Sequence, residues 1–508
     1  MKKFEPSIAI VILSIVLSAC AGPALRDEIN RPEPSYAMAP ATTGILAENA
    51  ARLTEGGRPV SGFRLLDGSR EALEWRLALI DSATSSIDLI TYLWYPDSSG
   101  RLMLERVVLA AQRGVQVRLV IDDLLTIGQD QLLANLNSLP NIEVRLFNPW
   151  SKRSLGSRAG EMIAEMERLN TRMHVKLLVA DGRAAIVGGR NIGDHYFGLS
   201  NAYNFHDLDV LGIGPIGVEA SEMFDHYWNS DWIVSADNLV TEPDADKAAE
   251  QWQALQEATR TDPQLAELPR QPRDWSADFA AIRPELRPGR GYLVFDDVSA
   301  EDVSQTMIAT MFGFFNSAEE ELLITNAYII PGQPGIDFIA ALSERGVDVR
   351  ILTNSLASHD VPAVNSHYEG WRDDLINAGA DLFEFRADAA IQPIIDVPPA
   401  SGEFTGLHTK AAVVDMRYSF IGSMNLDPRS ANINTEMGAI IDSPELAADL
   451  RALMLRDMGS DNAWAVTLDN NGKLWWRNSD ETVDDQPSRG FMTDVMNVIF
   501  KIFPKEQY

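Results

Sequence analysis

The sequence predicts a duplicated α/β fold, two halves each with a mixed, largely parallel sheet flanked by helices. Two observations predict it. The first is a strand–helix–strand pattern that occurs twice. Residues 86–92 read as a strand, 101–113 carry helical periodicity that Gly114 stops, and 115–121 form a second apolar strand. The same order returns at 322–326, 335–344 and 345–352. Units of this length imply parallel pairing through right-handed crossovers. The second observation is a shared phrase. Arg113-Gly114-Val115-Gln116-Val117-Arg118 recurs as Arg345-Gly346-Val347-Asp348-Val349-Arg350, 232 positions on.

The remaining segments fill in around these halves. Residues 21–60 are rich in Pro, Ala and Gly and read as a tether with a helix near 45–53. Residues 236–290 are acidic and proline-punctuated, a connector with a helix at 244–258. Residues 464–468 and 474–476 flank Asn470-Asn471-Gly472 and predict a hairpin. A final apolar helix is expected at 491–503, with Asp494, Asn497 and Lys501 on one side. For it two readings stay open, a membrane-interface helix or a terminal helix packed on the core. The expected division is therefore 1–19, 20–60, a first domain over 61–235, a connector over 236–290, a second domain over 291–461, and a C-terminal hairpin and helix over 462–508.

Composition narrows the function. The 508-residue chain is 45% hydrophobic and carries a formal charge of −30. That balance opposes nonspecific binding to nucleic acid and predicts a self-repelling surface. The single cysteine, Cys20, excludes an internal disulfide. Its position is informative. A basic start (Lys2, Lys3) and an apolar run over 8–17 precede Leu17-Ser18-Ala19-Cys20. The run is shorter than the roughly 20 residues that span a bilayer, so it reads as a secretory signal. The four residues that end in the cysteine resemble a bacterial lipobox. That resemblance implies cleavage before Cys20, lipidation there, and a lipoprotein of the cell envelope that faces the periplasm, with Ala21 favouring the outer membrane.

The chemistry is concentrated in another repeated pattern. His174-Val175-Lys176 is followed by Asp181, and His408-Thr409-Lys410 by Asp415, 234 positions apart. Residues two apart on a strand share a face, so each histidine projects with its lysine. Asp181-Gly182-Arg183 and Asp415-Met416-Arg417 are turn-like, and each motif strand should return as a hairpin. Each return ends in small residues and an asparagine, Gly188-Gly189-Arg190-Asn191 and Gly422-Ser423-Met424-Asn425.

These segments resemble the paired HKD motifs of the phospholipase D superfamily. Arg168–His174, Ile186–Asp194, Leu146-Phe147-Asn148-Pro149, 353–357 and Gly422–Ser430 are similar to bacterial cardiolipin synthases of the C type. The similarity covers roughly residues 60–480. Gly189 departs from the superfamily pattern, which has serine there. The resemblance implies a phospholipase D-like α/β/α sandwich with the active site between the halves. It implies a two-step phosphatidyl transfer: one histidine forms a phosphohistidine while the other serves as acid and base. His174 is the expected nucleophile and His408 its partner. Lys176, Lys410, Asn191 and Asn425 would hold the phosphate oxygens. Glu436 matches the family's histidine-orienting carboxylate in the second half, and Asp207 is chosen for the first. Asp181 and Asp415 complete the motifs and are counted with the catalytic set, although an anchoring role suits them better. No metal or other cofactor is required, because the lysines supply the charge. Membrane phospholipids are the expected partners and nucleic acid is not.

Other residues have plainer readings. His195, His206, His226 and His359 are taken as structural, and His367 as either surface helix or alcohol site. Asp122 and Asp123 are taken as turn formers that could approach the cleft. Besides transfer, the sequence leaves open hydrolysis to phosphatidic acid, a nuclease, and a noncatalytic lipoprotein.

Overall fold

A computed structural model describes residues 32–490 apart from 56, 127, 151, 152, 154–160, 162–164, 240, 241 and 299–303. The signal segment, Cys20 and the helix expected at 491–503 lie outside the described residues.

Strand pairing shows the duplication directly. In the first half the order across the sheet is Ser61–Leu66, Asp209–Ile213, Ala184–Gly188, Leu177–Ala180, Ser86–Thr91, Gln116–Asp122, Ile142–Phe147 and Ile233–Ser235. In the second it is Arg287–Phe295, Met437–Asp442, Tyr418–Gly422, Lys410–Val414, Glu321–Asn326, Asp348–Asn354, Asp381–Phe385 and Ala463–Leu468. The long strand Arg287–Phe295 pairs through Arg287–Gly289 with Ser61–Phe63 and through Arg290–Phe295 with Met437–Asp442, so the two sheets run on into each other. The expected crossovers are present: Ser86–Thr91 lies parallel to Gln116–Asp122, and Glu321–Asn326 to Asp348–Asn354. The parallel share is smaller than expected. Among the described residues three neighbouring strands in each half run parallel, because the motif hairpins and the outer strands pair antiparallel.

Period-two patterning sorts the side chains into layers. Leu178 and Ala180 face an outer core with Leu119 and Ile121, while Leu177 and Val179 face an inner one. In the second half Ala411 and Val413 join that same inner core, and Ala412 and Val414 turn outward. Helices Ile216–Trp228 and Pro444–Asp457 contribute Phe224, Tyr227, Leu446 and Leu450 to the shared inner core. One hydrophobic layer therefore belongs to both halves and fixes them to each other.

The connector helix runs Ala245–Thr261 and starts where Asp244 caps Lys247 N at 3.0 Å. The C-terminal hairpin is not a separate unit. Its strand Ala463–Leu468 pairs with Asp381–Phe385, and Trp476 donates from Nε1 to the buried Glu384 at 2.8 Å, so it closes the edge of the second sheet.

Candidate active site

The motif hairpins place the site. Leu177–Ala180 turns into Ala184–Gly188 through Asp181 (φ 57°) and Gly182 (φ 59°), and Lys410–Val414 turns into Tyr418–Gly422 through Asp415 (φ 51°) and Met416 (φ 52°). Ala180 pairs with Ala184 and Val414 with Tyr418, so each hairpin closes through three residues, the first two at positive φ. Asp181 and Asp415 are thus at the distal ends of their strands, away from the histidines. The Asp181 carboxylate accepts from Thr84 N at 2.9 Å, Ser85 N at 2.7 Å and Ser86 N at 3.1 Å. Asp415 does the same for Glu319, Glu320 and Glu321 N at 3.0, 2.8 and 3.0 Å. Both carboxylates pin the turn to the start of the neighbouring strand, so their place in the catalytic set is corrected to an anchoring one.

At the proximal ends the two halves cross. His174 N donates to Thr435 O at 2.9 Å and Thr435 N to Arg172 O at 2.8 Å. His408 N donates to His206 O at 2.8 Å, and Asn204–His206 pairs parallel with Thr405–Leu407. Each motif histidine is therefore stitched to the segment that carries the other half's carboxylate. Nδ1 of His174 meets Glu436 Oε2 at 2.9 Å, and Nδ1 of His408 meets Asp207 Oδ2 at 2.6 Å. In both cases the carboxylate comes from the opposite half. A carboxylate that accepts from Nδ1–H leaves Nε2 with its lone pair free.

The lysines lie beside these rings. Lys176 Nζ donates to His174 O at 2.8 Å and Lys410 Nζ donates to His408 O. Lys176 also lies 5.2 Å from the Tyr92 ring centre, and Lys410 5.8 Å from that of Tyr328. All four motif groups are buried. Burial, with the Lys176 and Lys410 charges behind it, holds the His174 ring well below the usual imidazole range. Burial and Lys410 hold His408 down to about 4. Asp207 resists its own burial: the His408 pairing, helped by Lys410 and Arg190, keeps it ionised, at about 2. Glu436 does not, and burial pushes it up to about 7. The two halves are alike in geometry and unlike in charge.

Burial also lowers Lys410 to about 8 against the pull of Asp207 and Glu436. A lysine holds its charge below its pKa and loses it above. The rate constant kcat/KM is therefore expected to fall as pH rises through about 8. In Lys410→Arg, whose charge persists, the part of that fall owed to Lys410 is lost, and the fall that remains belongs to Lys176, which burial also holds well below the usual lysine range. Both outcomes are read from pH–rate profiles.

The asparagines differ from each other. Asn191 Nδ2 already donates to the Tyr196 hydroxyl at 2.8 Å, and its Oδ1 accepts from Leu93 N at 3.3 Å. Asn425 is buried, and its Oδ1 meets no protein donor. Ser423 does not aim its hydroxyl at open space: it donates to Glu436 Oε2 at 2.5 Å. At the matching place in the first half, a Cβ on Gly189 would lie 2.3 Å from Asp207 Oδ1. The missing serine is thus explained by Asp207 occupying its room.

Sequence reasoning missed the aromatic frame. Tyr92 packs edge-on to His174 at 5.1 Å, and Tyr196 does so to His408 at 5.2 Å. Asp122 is both a turn former and close to the site: it accepts from Leu124 N at 2.9 Å and from Met173 N at 2.9 Å, and pairs with Arg172 at 3.2 Å. Arg429 reaches across to Asn170 at 2.7 Å and joins two of the stretches that carry the family resemblance. The four lone histidines have structural partners, Tyr203, Asp457, Asp297 and Tyr328 respectively.

Known proteins show the same organisation. A family model described as cardiolipin synthase, PLD-like domain, matches residues 77–228 and 311–458, one copy per half. Cardiolipin synthase C of Escherichia coli K12 is 33% identical over 88% of this chain and 95% of its own. An uncharacterized protein of Helicobacter pylori J99 is 32% identical over 98% of this chain and 99% of its own. The crystal structure of phosphatidylserine synthase from Haemophilus influenzae aligns with a TM-score of 0.52 at 16% identity, over 78% of this chain and 86% of that one, a likeness of fold. With a family model on both halves and full-length relatives above 30% identity, the chain belongs to the cardiolipin synthase family of phospholipase D-like proteins.

Proposed function

We propose that the chain is a phosphatidyltransferase that exchanges phospholipid phosphodiesters through a phosphohistidine. One observation carries this reading: two buried imidazoles, each oriented by a carboxylate of the opposite half, with Lys176 and Lys410 beside them. Nε2 of one ring attacks phosphorus, an N–P bond forms, and the P–O bond to the leaving alcohol breaks. The other ring acts from its imidazolium form: it gives that oxygen its Nε2 proton and becomes neutral. In the second step the same ring takes the proton of the incoming alcohol, whose oxygen displaces the histidine. The lysines meet the charge that builds on the nonbridging oxygens, with the Asn425 amide as a further donor. Exchange of one phosphodiester for another is nearly balanced, so the reaction asks for no energy source.

The same reading places the enzyme at a bilayer surface, held by a lipidated Cys20 on the periplasmic side. Relatives named as cardiolipin synthases make an alcohol of a second phospholipid the preferred acceptor in this proposal. The test is incubation of the full chain with phosphatidylglycerol in mixed micelles, followed by mass spectrometry of the lipids. The expected product is cardiolipin, absent with His174→Ala. Phosphatidic acid as the sole product would assign water as acceptor, and unchanged lipids would remove the proposal.

A further inference from the structure

The proposed mechanism leaves one carboxylate beside His408 without a role, that of Asp360. We infer that Asp360 reads the alcohol: it accepts a hydrogen bond from a hydroxyl on the carbon next to the one that carries the reacting oxygen, so the second half holds a subsite for vicinal diols. This rests on the proposed function and names the class of alcohol that its acid–base step serves.

Geometry joins Asp360 to that step. The Tyr328 hydroxyl donates to both Asp360 oxygens, at 2.8 and 3.0 Å. The Tyr328 ring stands edge-on to the His408 ring, with centres 6.5 Å apart, and its own centre is 5.8 Å from Lys410 Nζ. It also stacks at 5.1 Å on His359, the residue before Asp360. One tyrosine therefore holds the Asp360 loop against the acid–base histidine. Asp207, on the inner nitrogen of His408, is fully buried, whereas the Asp360 side chain is 16% exposed and Tyr95, Tyr203 and Tyr328 are half-buried. Asp360 thus stands toward the opening of the cleft. It lies within electrostatic reach of His408 and Lys410, and of Tyr196 and Tyr203 in the first half. The groups that weigh most on Lys176 are instead Glu436, Lys410, Asp207 and Asp122. Asp360 serves the His408 side, where the leaving oxygen takes a proton and the entering hydroxyl gives one up.

Chemistry selects the ligand. A carboxylate offers about four acceptor positions, and among the described residues the Tyr328 hydroxyl is the one hydrogen-bond donor to Asp360. The missing partner must donate. A cation is disfavoured, because Lys410 and Arg489 already face Asp360. Arg489 is fixed there, over the Phe404 ring at 3.6 Å and donating to His359 O at 3.0 Å. A neutral hydroxyl fits. The duplication supplies a contrast: after the matching strand of the first half, Asp123 is fully buried, pairs with Arg153 and accepts from Trp150 N at 2.7 Å. That loop acid is tied off, and Asp360 is left open. In the second step the entering hydroxyl gives its proton to His408 Nε2, and its oxygen bonds phosphorus as the N–P bond breaks. The neighbouring hydroxyl keeps its proton and donates to Asp360. The leaving alcohol makes the same contact in the first step, since one is the reverse of the other.

Internal competition on the full chain in mixed micelles tests this. The first measurement follows the leaving alcohol. Dioleoyl phosphatidylglycerol and dioleoyl phosphatidylpropanol, whose propyl group has no second hydroxyl, are mixed in equal amounts and their loss is read by mass spectrometry. The wild type is expected to consume the glycerol lipid about tenfold faster or more, and Asp360→Ala to bring that ratio to about one. The second follows the entering alcohol, with dioleoyl phosphatidyl-p-nitrophenol as donor and glycerol and 1-propanol at equal concentration. The product ratio should shift in the same way. Damage to the fold or to either histidine slows both members of a pair and leaves the ratio alone. Asp360→Asn, which keeps the shape and one accepting oxygen, is expected to give an intermediate ratio. A wild-type ratio near one, or a ratio that both variants preserve, overturns the subsite. Dioleoyl phosphatidylethanolamine consumed ahead of both lipids, with that lead lost in Asp360→Ala, overturns the hydroxyl reading in favour of an ammonium. Phosphatidic acid as the sole product, with the first ratio still dependent on Asp360, supports the subsite and counts against transfer. Lipids left unchanged remove the proposed function and the subsite together.

Discussion

A Gly189→Ser substitution is expected to lower turnover about 10²-fold or more, on the scale of a displaced catalytic group. The physical cause is local. Gly189 leaves the space in which the Asp207 carboxylate rests, and the first side-chain carbon of any other residue would meet Asp207 Oδ1 at 2.3 Å. Asp207 would be driven off the Nδ1 of His408, which it holds at 2.6 Å. The second half shows how a serine is accommodated. There the acid is Glu436, one methylene longer, and its Oε2 passes Ser423 closely enough to accept the hydroxyl at 2.5 Å while still reaching His174 at 2.9 Å. Gly189 with Asp207 and Ser423 with Glu436 are two solutions to one spacing problem. The double variant Gly189→Ser/Asp207→Glu should therefore recover most of the lost rate. A single variant as active as the wild type, or a double variant no better than the single, would contradict this account. Thermal unfolding of both variants separates misplacement of His408 from loss of fold.

That exchange of residues was only half legible in the sequence. The departure at Gly189 is visible in the sequence as a missing serine. The structure makes the serine hydroxyl a partner of the carboxylate, because Ser423 and Glu436 converge only when two strand ends lie side by side. The duplication itself was fully readable, since strand–helix–strand order and motif spacing are local and occur twice. The helix of the connector and the C-terminal hairpin were readable for the same reason: caps, periodicity and turn residues act over a few positions. The crossing of carboxylates between halves was not. It depends on backbone bonds from His174 to Thr435 and from His408 to His206, contacts with no trace in one-dimensional spacing. The tyrosine frame left no signal either. Tyr92 follows Ser86–Thr91 directly, whereas Tyr328 stands two residues beyond Glu321–Asn326, so the repeat does not align them.

The largest effect is expected at His408, and it also distinguishes the two rings. His408→Ala should lower turnover of a phospholipid with an ordinary alcohol leaving group about 10²- to 10⁴-fold, the usual size of a lost acid–base group. With a p-nitrophenyl phosphodiester, whose leaving group needs no proton, the first step survives. A burst of p-nitrophenol of one equivalent per chain is expected, with phosphate retained on His174. The unequal carboxylates support this division. Asp207 stays ionised beside His408, and a fixed negative charge stabilises the imidazolium that an acid–base catalyst must pass through. Burial pushes Glu436 up to about 7, and burial, with the Lys176 and Lys410 charges behind it, holds His174 well below the usual imidazole range, so that ring keeps its Nε2 lone pair for attack on phosphorus. His174→Ala should show neither burst nor retained phosphate with the same ester. A burst in His174→Ala and none in His408→Ala would reverse the assignment, with the nucleophile on the second motif and the proton carried by the first.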